Sequence, residues 1–349
     1  MRVSLQRIAR EAGVTRAAVC MALRDNPTIS EARRRQIKRI AQRLGYQPNA
    51  AGRALITNRM GQIGFILSDT VADGWGNAMF ACSLAGVEAA CRDRGYGLTI
   101  SRYNLSNVDS FIFPTKVSQR SVDGLVLTGF VESAIVYRFR EFGIPCVCVG
   151  DNLETAGLVP TIACDIVDGL FQAVTAAVRL GHRRILYCID RTPRGRQVSR
   201  LLVERAAHDR ATAAGRIDLL DIPGGLGNYD DARPLFDHWS ALKPNRRPTV
   251  IIASDQTIVQ LAADLTARGI GCPDQVSLIS VGDARPCETT WPPITAIRFD
   301  LERQGRLAAE LLIDHVDEKK PLPANLSKIE PCTLSLRRSL GPAPRKDLQ

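Results

Sequence analysis

The chain has 349 residues, of which 46 are Lys or Arg and 36 are Asp or Glu, for a formal net charge of +10. It opens on basic helical sequence, with no export signal and no apolar run of membrane-spanning length, so neither secretion nor membrane insertion is expected. Its ten cysteines are scattered without a CxxC pair, and His182, His208, His238 and His315 lack ligand spacing, so no metal and no cofactor are expected either.

The positive charge is concentrated at one end. Residues 1–59 hold 13 of the basic residues against only Glu11, Asp25 and Glu31, and the remainder of the chain is neutral. A small basic headpiece on a neutral body is the electrostatic footprint of binding to a phosphate backbone. Three short helices are predicted in it. In the first, Ser4 is the cap and Leu5, Ile8, Ala9 and Ala12 share a face. Gly13 and Val14 make a turn, and Thr15 caps a second helix whose apolar stripe is Ala18, Val19, Ala22 and Leu23. Arg16, Ala17 and Met21 fall off that stripe and face outward. Two short helices joined by a tight turn form the helix-turn-helix pattern, whose second helix enters the DNA major groove, although any small pair of helices would share it.

A third helix is capped by Ser30, buries Ile37, Ile40, Ala41 and Leu44, and stops at Gly45. Its run of Arg33, Arg34, Arg35, Lys38, Arg39 and Arg43 lacks the matching acids of an ordinary solvated face. Pro48 and Asn49 then break the pattern, and Ala50 to Leu55 has room for a helical turn or two. Such a segment, with Gly52 inside it, is too short to hold by itself in water and reads by composition as a linker.

From residue 60 the chain alternates. Predicted strands are QIGFILSD, GLTISRY, VDGLVLTG and IPCVCVGD, with a helix through AMFACSLAGVEAACRDRGY that ends at Gly95 and another from Ser133 to Phe142. The cycle restarts at Thr161 with the helix Asp168–Leu180, the strand RRILYCID and the helix Val198–Ala214. DLLDIP, Asp231–Leu242, TVIIASD, Ile258–Arg268 and VSLISVGD complete it. Alternation of this kind predicts an α/β body of two doubly wound parallel-sheet subdomains. The glycine-rich stretch IPGGLGNYDD lacks the lysine of a phosphate loop and the spacing of a dinucleotide fingerprint.

The order Leu5, Ile8-Ala9, Ala12-Gly13-Val14-Thr15, Val19, Ser30 to Arg33, Leu44-Gly45-Tyr46, Pro48-Asn49-Ala50, Arg53 and Leu55 resembles the LacI/GalR family of bacterial repressors. Further motifs follow in the family's order: Leu180-Gly181-His182-Arg183-Arg184-Ile185, Pro248-Thr249 with Ala253-Ser254-Asp255, Cys272-Pro273 with Val276-Ser277, and Pro292-Pro293-Ile294-Thr295 with Ile297-Arg298. The resemblance implies a sensor body related to periplasmic sugar-binding proteins and a hinge helix that folds on the operator, with Leu55 as its minor-groove wedge. It makes Arg16, Ala17 and Met21 base-reading positions, and places Thr15, Asn26, Tyr46 and Asn49 at phosphate-contact or positioning sites. Ser4 and Arg53 join that DNA-binding set. The chain departs from the family at Cys20-Met21-Ala22-Leu23-Arg24. Met21 cannot make a bidentate base contact, so readout leans on Arg16, which suits guanine O6 and N7, while Arg24 adds a candidate phosphate contact.

Ligands of open α/β domains bind beyond the C-terminal strand ends, here in the cleft between the subdomains. The effector candidates are Ser68, Asp69, Asp151, Tyr229, Asp255 and Asp283, together with Arg200 at the position where the resemblance implies an effector-clamping arginine. Val203 and Glu204 replace the Gly-aromatic pair that normally follows it, and Ser280-Val281-Gly282-Asp283 alters a second family motif. Asp255 has an alternative reading, as a residue closing its strand–helix turn. Carboxylates and a guanidinium suit paired hydroxyls, so a sugar or sugar derivative is expected. Tyr229, Trp75 and Trp291 keep a purine or nucleoside as the alternative.

The expected organisation is a helix-turn-helix domain at 1–47, a hinge helix or linker at 48–59, a body at 60–337 and a flexible tail at 338–349. Within the body, one subdomain takes 60–162 plus 294–322 and the other 163–293 plus 323–337. The expected partners are double-stranded operator DNA, a small-molecule effector and a second copy in a homodimer, with no membrane. The expected role is that of a cytoplasmic, non-enzymatic transcription regulator. A transport-type binding protein with the same body is the alternative.

Overall fold

A computed structural model describes residues 3–23, 26–46, 59–71, 74–150, 155, 157–189, 193–210, 212–213, 215–221 and 232–344. The chain divides after Met60 into two compact units.

The first unit contains α1 (Leu5–Ala12), α2 (Arg16–Leu23) and α3 (Glu31–Arg43). Ser4 Oγ accepts from the Arg7 amide at 3.4 Å, and Gly13, at φ 64°, ends α1. Thr15 Oγ1 then accepts from the Ala18 amide at 3.2 Å. Each hydroxyl thus satisfies a backbone donor that the first turn of a helix leaves without a partner. Ser30 is a correction: it stands at the N-cap position of α3, but its side chain makes no cap bond, and its backbone carbonyl carries the first turn through the Arg34 amide at 2.9 Å. Ile8, Ala9, Ala12, Val19, Ala22, Ile37 and Ala41 form the buried core, ringed by Leu5, Leu23, Ile40, Leu44 and Tyr46. Glu11 and Arg43 tie α1 to the end of α3.

The second unit holds two six-stranded sheets. Its first half runs through β1 (Gln62–Ser68), α4 (Ala78–Asp93), β2 (Gly97–Tyr103), α5 (Thr115–Ser118), β3 (Gly124–Thr128), α6 (Ser133–Glu141), β4 (Cys146–Val149) and β5 (Thr161–Cys164). It continues with α7 (Ile166–Arg179), β6 (Arg184–Ile189), α8 (Pro193–His208), β7 (Arg216–Asp221), α9 (Ala232–Ala241), β8 (Val250–Ser254), α10 (Asp255–Ala267) and β9 (Ser277–Val281). The last elements are α11 (Arg285–Thr289), β10 (Thr295–Arg298), α12 (Leu301–Glu318), β11 (Ser327–Glu330) and β12 (Thr333–Ser335).

The first sheet is ordered β11-β5-β4-β3-β1-β2 and is parallel throughout; the second is β12-β10-β9-β8-β6-β7, with β12 alone antiparallel. Phe65 lies in register with Ile100 on β2 and Val126 on β3. Helices cover both faces, so the central strands are apolar on both sides. Ile63, Phe65 and Leu67 enter one core of the first sheet and Ile66 the other. In the second sheet Val250 and Ile252 enter one core, Ile251 and Ala253 the other.

The chain passes between the sheets three times: from β5 to α7, from β10 to α12 and from β11 to β12. This corrects the expected subdomain boundaries. Residues 294–298 were expected with the first subdomain, yet β10 pairs with β9, Thr295 opposite Ile279. Residues 327–330 were expected with the second, yet β11 pairs with β5, Ser327 opposite Thr161. Thr161 therefore belongs to the first sheet, between β4 and β11, rather than starting the second.

The tail expectation is corrected as well. Ser339 is buried; its hydroxyl donates to Leu278 O at 2.6 Å and accepts from the Thr295 amide at 2.8 Å. The Gly341 amide donates to Ser277 Oγ at 3.2 Å and the Ala343 amide to Leu180 O at 2.9 Å. Residues 338–344 are thus fastened to the second sheet, and 345–349 lie outside the described residues. Hydrogen bonds and the packing of Leu340 against the core of the second sheet fix residues 338–344.

One of those bonds responds to pH. His182 is buried, with Nδ1 2.8 Å from Thr249 Oγ1 and Nε2 2.9 Å from Gly341 O. A carbonyl can only accept, so Nε2 carries the hydrogen and Nδ1 accepts from the threonine. Burial pushes the imidazole below its ordinary value; the Gly341 bond works against that shift and the Arg183 charge adds to it. The unfolded chain therefore binds a proton more readily than the folded one, and stability falls as pH drops from the ordinary imidazole value, about 6.5, towards the lower folded value. Melting followed between pH 7.5 and 5 is expected to show this loss, and the loss is expected to shrink in His182→Gln.

Candidate nucleic-acid interface and effector cavity

On α2, Arg16 and Ala17 are exposed and Met21 is half-buried. Met21 Sδ accepts from Thr28 Oγ1 at 3.7 Å. Asn26 Oδ1 accepts from the Thr28 amide at 3.0 Å and from its hydroxyl at 2.7 Å, which fixes the turn between α2 and α3. Tyr46 packs against the headpiece core. Of the expected DNA-binding set, Ser4 and Thr15 are thus occupied as helix caps, and Asn26 and Tyr46 shape the unit. Arg16 remains the exposed guanidinium at the start of the second helix, with Ala17 beside it. Arg24, Asn49, Arg53 and Leu55 lie outside the described residues, as does the rest of the expected hinge.

The body contains a cavity of about 650 Å³. Its wall comes from the start of α4 (Ala78, Met79 and Cys82), from Asp255, from Gly282 to Ala284 beyond β9, and from two passages between the sheets, Arg298–Arg303 and Glu330–Thr333. It therefore lies where the two lobes are joined. Of the expected effector residues it brings together Asp255 and Asp283. Ser68 is instead buried with its hydroxyl 3.0 Å from that of Thr70, and the carbonyl of Asp69 accepts from Arg102 at 2.6 Å. Arg200 is exposed on α8 with Nε 3.9 Å from Glu204 Oε1, outside the cavity wall. Asp151 and Tyr229 lie outside the described residues.

The two carboxylates differ in role. Asp283 is 5% exposed, and both its oxygens are taken by Arg337, at 2.6 and 2.9 Å. Expected as an effector contact, it is part of a structural ion pair, because a bidentate guanidinium leaves a buried carboxylate little capacity for a further ligand. Asp255 opens α10, and its Oδ1 accepts from the Gln256 amide at 2.8 Å, so it does close its strand–helix turn. Its carboxyl is raised above the ordinary range, first by burial and also by the negative charge of Asp283, against the lowering effect of backbone amides. Gly282, at φ 107°, lets the chain pass here; a Cβ on it would sit 3.3 Å from Asp255 Oδ2.

Sequence reasoning missed the passage after β10. Phe299 and Leu301 add apolar surface to the wall beside Ala78 and Met79, and Asp300 caps α12 by accepting from the Arg303 amide at 3.0 Å. Arg303 Nε reaches Glu330 Oε2 at 2.6 Å and holds that carboxyl below its ordinary value. The family motif through Arg298, itself part of the wall, ended one step short of these residues. Among the described residues, no group of three His, Cys, Asp or Glu side chains is placed to hold a metal, and no helix is long and apolar enough to cross a membrane.

Residues 4–49 match the family of bacterial regulatory proteins, lacI family, and residues 174–340 match the periplasmic binding protein-like domain. The chain is 27% identical over 332 residues to the HTH-type transcriptional regulator CelR of Thermobifida fusca, an alignment covering 93% of this chain and 95% of that one. Among solved structures it resembles a complex of transcriptional regulator CelR with cellobiose (TM-score 0.65, 22% identity, 97% of this chain and 100% of that one). It also resembles the lac repressor dimer bound to operator and the anti-inducer ONPF (TM-score 0.74, 18% identity, 98% and 100%). Both structures share its fold, and the chain carries the regulatory domain of the lacI family of bacterial regulatory proteins at residues 4–49 and a periplasmic binding protein-like domain at residues 174–340.

Proposed function

We propose that the chain is a transcriptional repressor that binds a palindromic operator as a homodimer in the cytoplasm and answers to a small, hydroxyl-bearing effector, a sugar or sugar derivative. The observation that carries the effector reading is a cavity of about 650 Å³ set between the lobes and walled by Asp255, Asp300, Glu302 and Arg298. Carboxylates accept from hydroxyls and a guanidinium donates to them, which matches a polyol on both counts. Phe299 is the sole aromatic ring in that wall among the described residues, and Trp75 and Trp291 stand elsewhere. That favours a sugar over a stacked purine. A basic headpiece with an exposed Arg16 favours a regulator over a transport-type binding protein, and the role needs no catalytic step.

Two measurements test this. Arg16→Ala is expected to flatten base preference at one position per half-site, costing about 1–3 kcal/mol there. An unchanged binding motif would reduce Arg16 to a phosphate contact. A thermal-shift screen of sugars, nucleosides and purines is expected to return a sugar, with the shift lost in Asp255→Asn. A response confined to purines would reject the sugar reading.

A further inference from the structure

The outward face of α2 is apolar, although the unit that carries it is the basic end of the chain. At about 100° per residue, Val19 and Ala22 turn into the headpiece core, where both are fully buried. The opposite side of the helix falls on Ala17, with Cys20 and Met21 beside it, three and four residues on. Ala17 is exposed, Cys20 and Met21 are half-buried, and Arg16 stands exposed at the edge of the same face. That arginine is the one charged side chain in Arg16–Leu23. Met21 is also held in place. Its Sδ lies 3.7 Å from Thr28 Oγ1, and that hydroxyl lies 2.7 Å from Asn26 Oδ1 in the turn before α3. A side chain already anchored loses less freedom on binding.

The surroundings say what such a face meets. Residues 1–59 carry 13 basic residues against Glu11, Asp25 and Glu31, and Arg7 and Arg10 of α1 are exposed. Charge of that sign draws a phosphate backbone to the unit. The base edges in a major groove offer hydrogen-bond donors and acceptors at every pair and a single apolar group, the 5-methyl of thymine. Ala17 has no polar side-chain atom, and Cys20 and Met21 carry only soft, weakly bonding sulfurs. The methyl is therefore the part of the groove that this face can bury. Resting on the reading of α2 as the helix that enters the groove, we propose that Ala17, Cys20 and Met21 select thymine by packing on its 5-methyl group, beside the pair contacted by Arg16. Each half-site then combines a guanine fixed by hydrogen bonds with one or two thymines fixed by apolar contact.

Uracil presents the same donors and acceptors as thymine and lacks only the methyl, so the contact can be removed without altering the protein. The test takes the full chain and the sequence it selects from a random DNA pool. Each thymine of the half-site is replaced in turn by deoxyuridine, in both halves together, and Kd is measured at fixed salt. At one or two positions a loss of about three- to fivefold per half-site is expected, the worth of one buried methyl-sized group, or about 10- to 25-fold for the symmetric pair. 5-Bromodeoxyuridine, whose bromine fills the place of the methyl, is expected to restore binding. The loss is expected to persist in Met21→Leu and to shrink at one position in Met21→Ser. A selected sequence bound equally well with uracil at every position would overturn the proposal and leave the DNA-reading role of α2 standing. A loss that bromine does not restore would trace the effect to DNA shape and overturn it too, as would a loss equal in the two Met21 variants. Failure to select any sequence would overturn both the proposal and the reading it rests on.

Discussion

Arg337→Ala is expected to cost the body about 3–5 kcal/mol, the range for removing one partner of a buried ion pair. The pair is well enclosed, with Arg337 17% and Asp283 5% exposed. Truncation leaves Asp283 charged, enclosed and without its bidentate donor, beside the raised carboxyl of Asp255. It also removes the bond from Arg337 to Ile294 O at 2.7 Å, one of the links that fasten the C-terminal segment to β10. Asp283→Asn in the same background removes the stranded charge and is expected to recover part of the loss. Thermal melting of the three proteins checks this. A single mutant within about 1 kcal/mol of the parent would place the pair among the weak surface pairs instead.

Gly305→Ala is expected to be the other severe change. In an exposed helix, glycine to alanine is favourable by about 1 kcal/mol. Here α4 and α12 cross with their backbones touching. A Cβ on Gly305 would lie 2.0 Å from the carbonyl oxygen of Ser83, and one on Gly86 would lie 1.8 Å from that of Glu302. Backbone cannot swing aside as a side chain does, so the helices must separate over the core formed by Val87, Ala90, Ala309 and Leu312. Overpacking of this kind costs about 1–3 kcal/mol or more. For a body of this size that lowers Tm by roughly 2–12 °C. A Gly305→Ala protein that melts at or above the parent temperature would show that the crossing has slack.

The alternation of strands and helices was legible because each central strand and each amphipathic helix carries its own local pattern. The headpiece was legible for the same reason: Ser4, Thr15 and Gly13 act within four residues of their own positions. What escaped was long-range pairing. β11 has one buried position in four and β12 none, so neither has a periodic apolar signal, and which sheet each joins is decided by partners far away in sequence. Asp283 read as a ligand group because its partner, Arg337, lies 54 residues further on. The tail read as loose because what binds Ser339 and Gly341 is backbone geometry and a buried histidine, neither of which leaves a mark on composition. The Phe299–Arg303 wall went unread because it is a passage between lobes, too short to show a period of its own.

The threefold passage of the chain between the sheets has a consequence for synthesis on the ribosome. The headpiece core is complete once Tyr46 has emerged. The first lobe must wait for Glu330, the end of β11, and the second for Ala343, whose amide closes on Leu180. At the usual 5–20 residues per second, about 15–60 s separate the headpiece from the completed body. Through that interval a nascent chain presents a finished basic headpiece joined to two unfinished sheets with open edges. The regulatory half of the molecule therefore matures almost entirely after its DNA-reading half, and an edge such as β5, awaiting β11, is where a nascent chain is most exposed to pairing with a stranger.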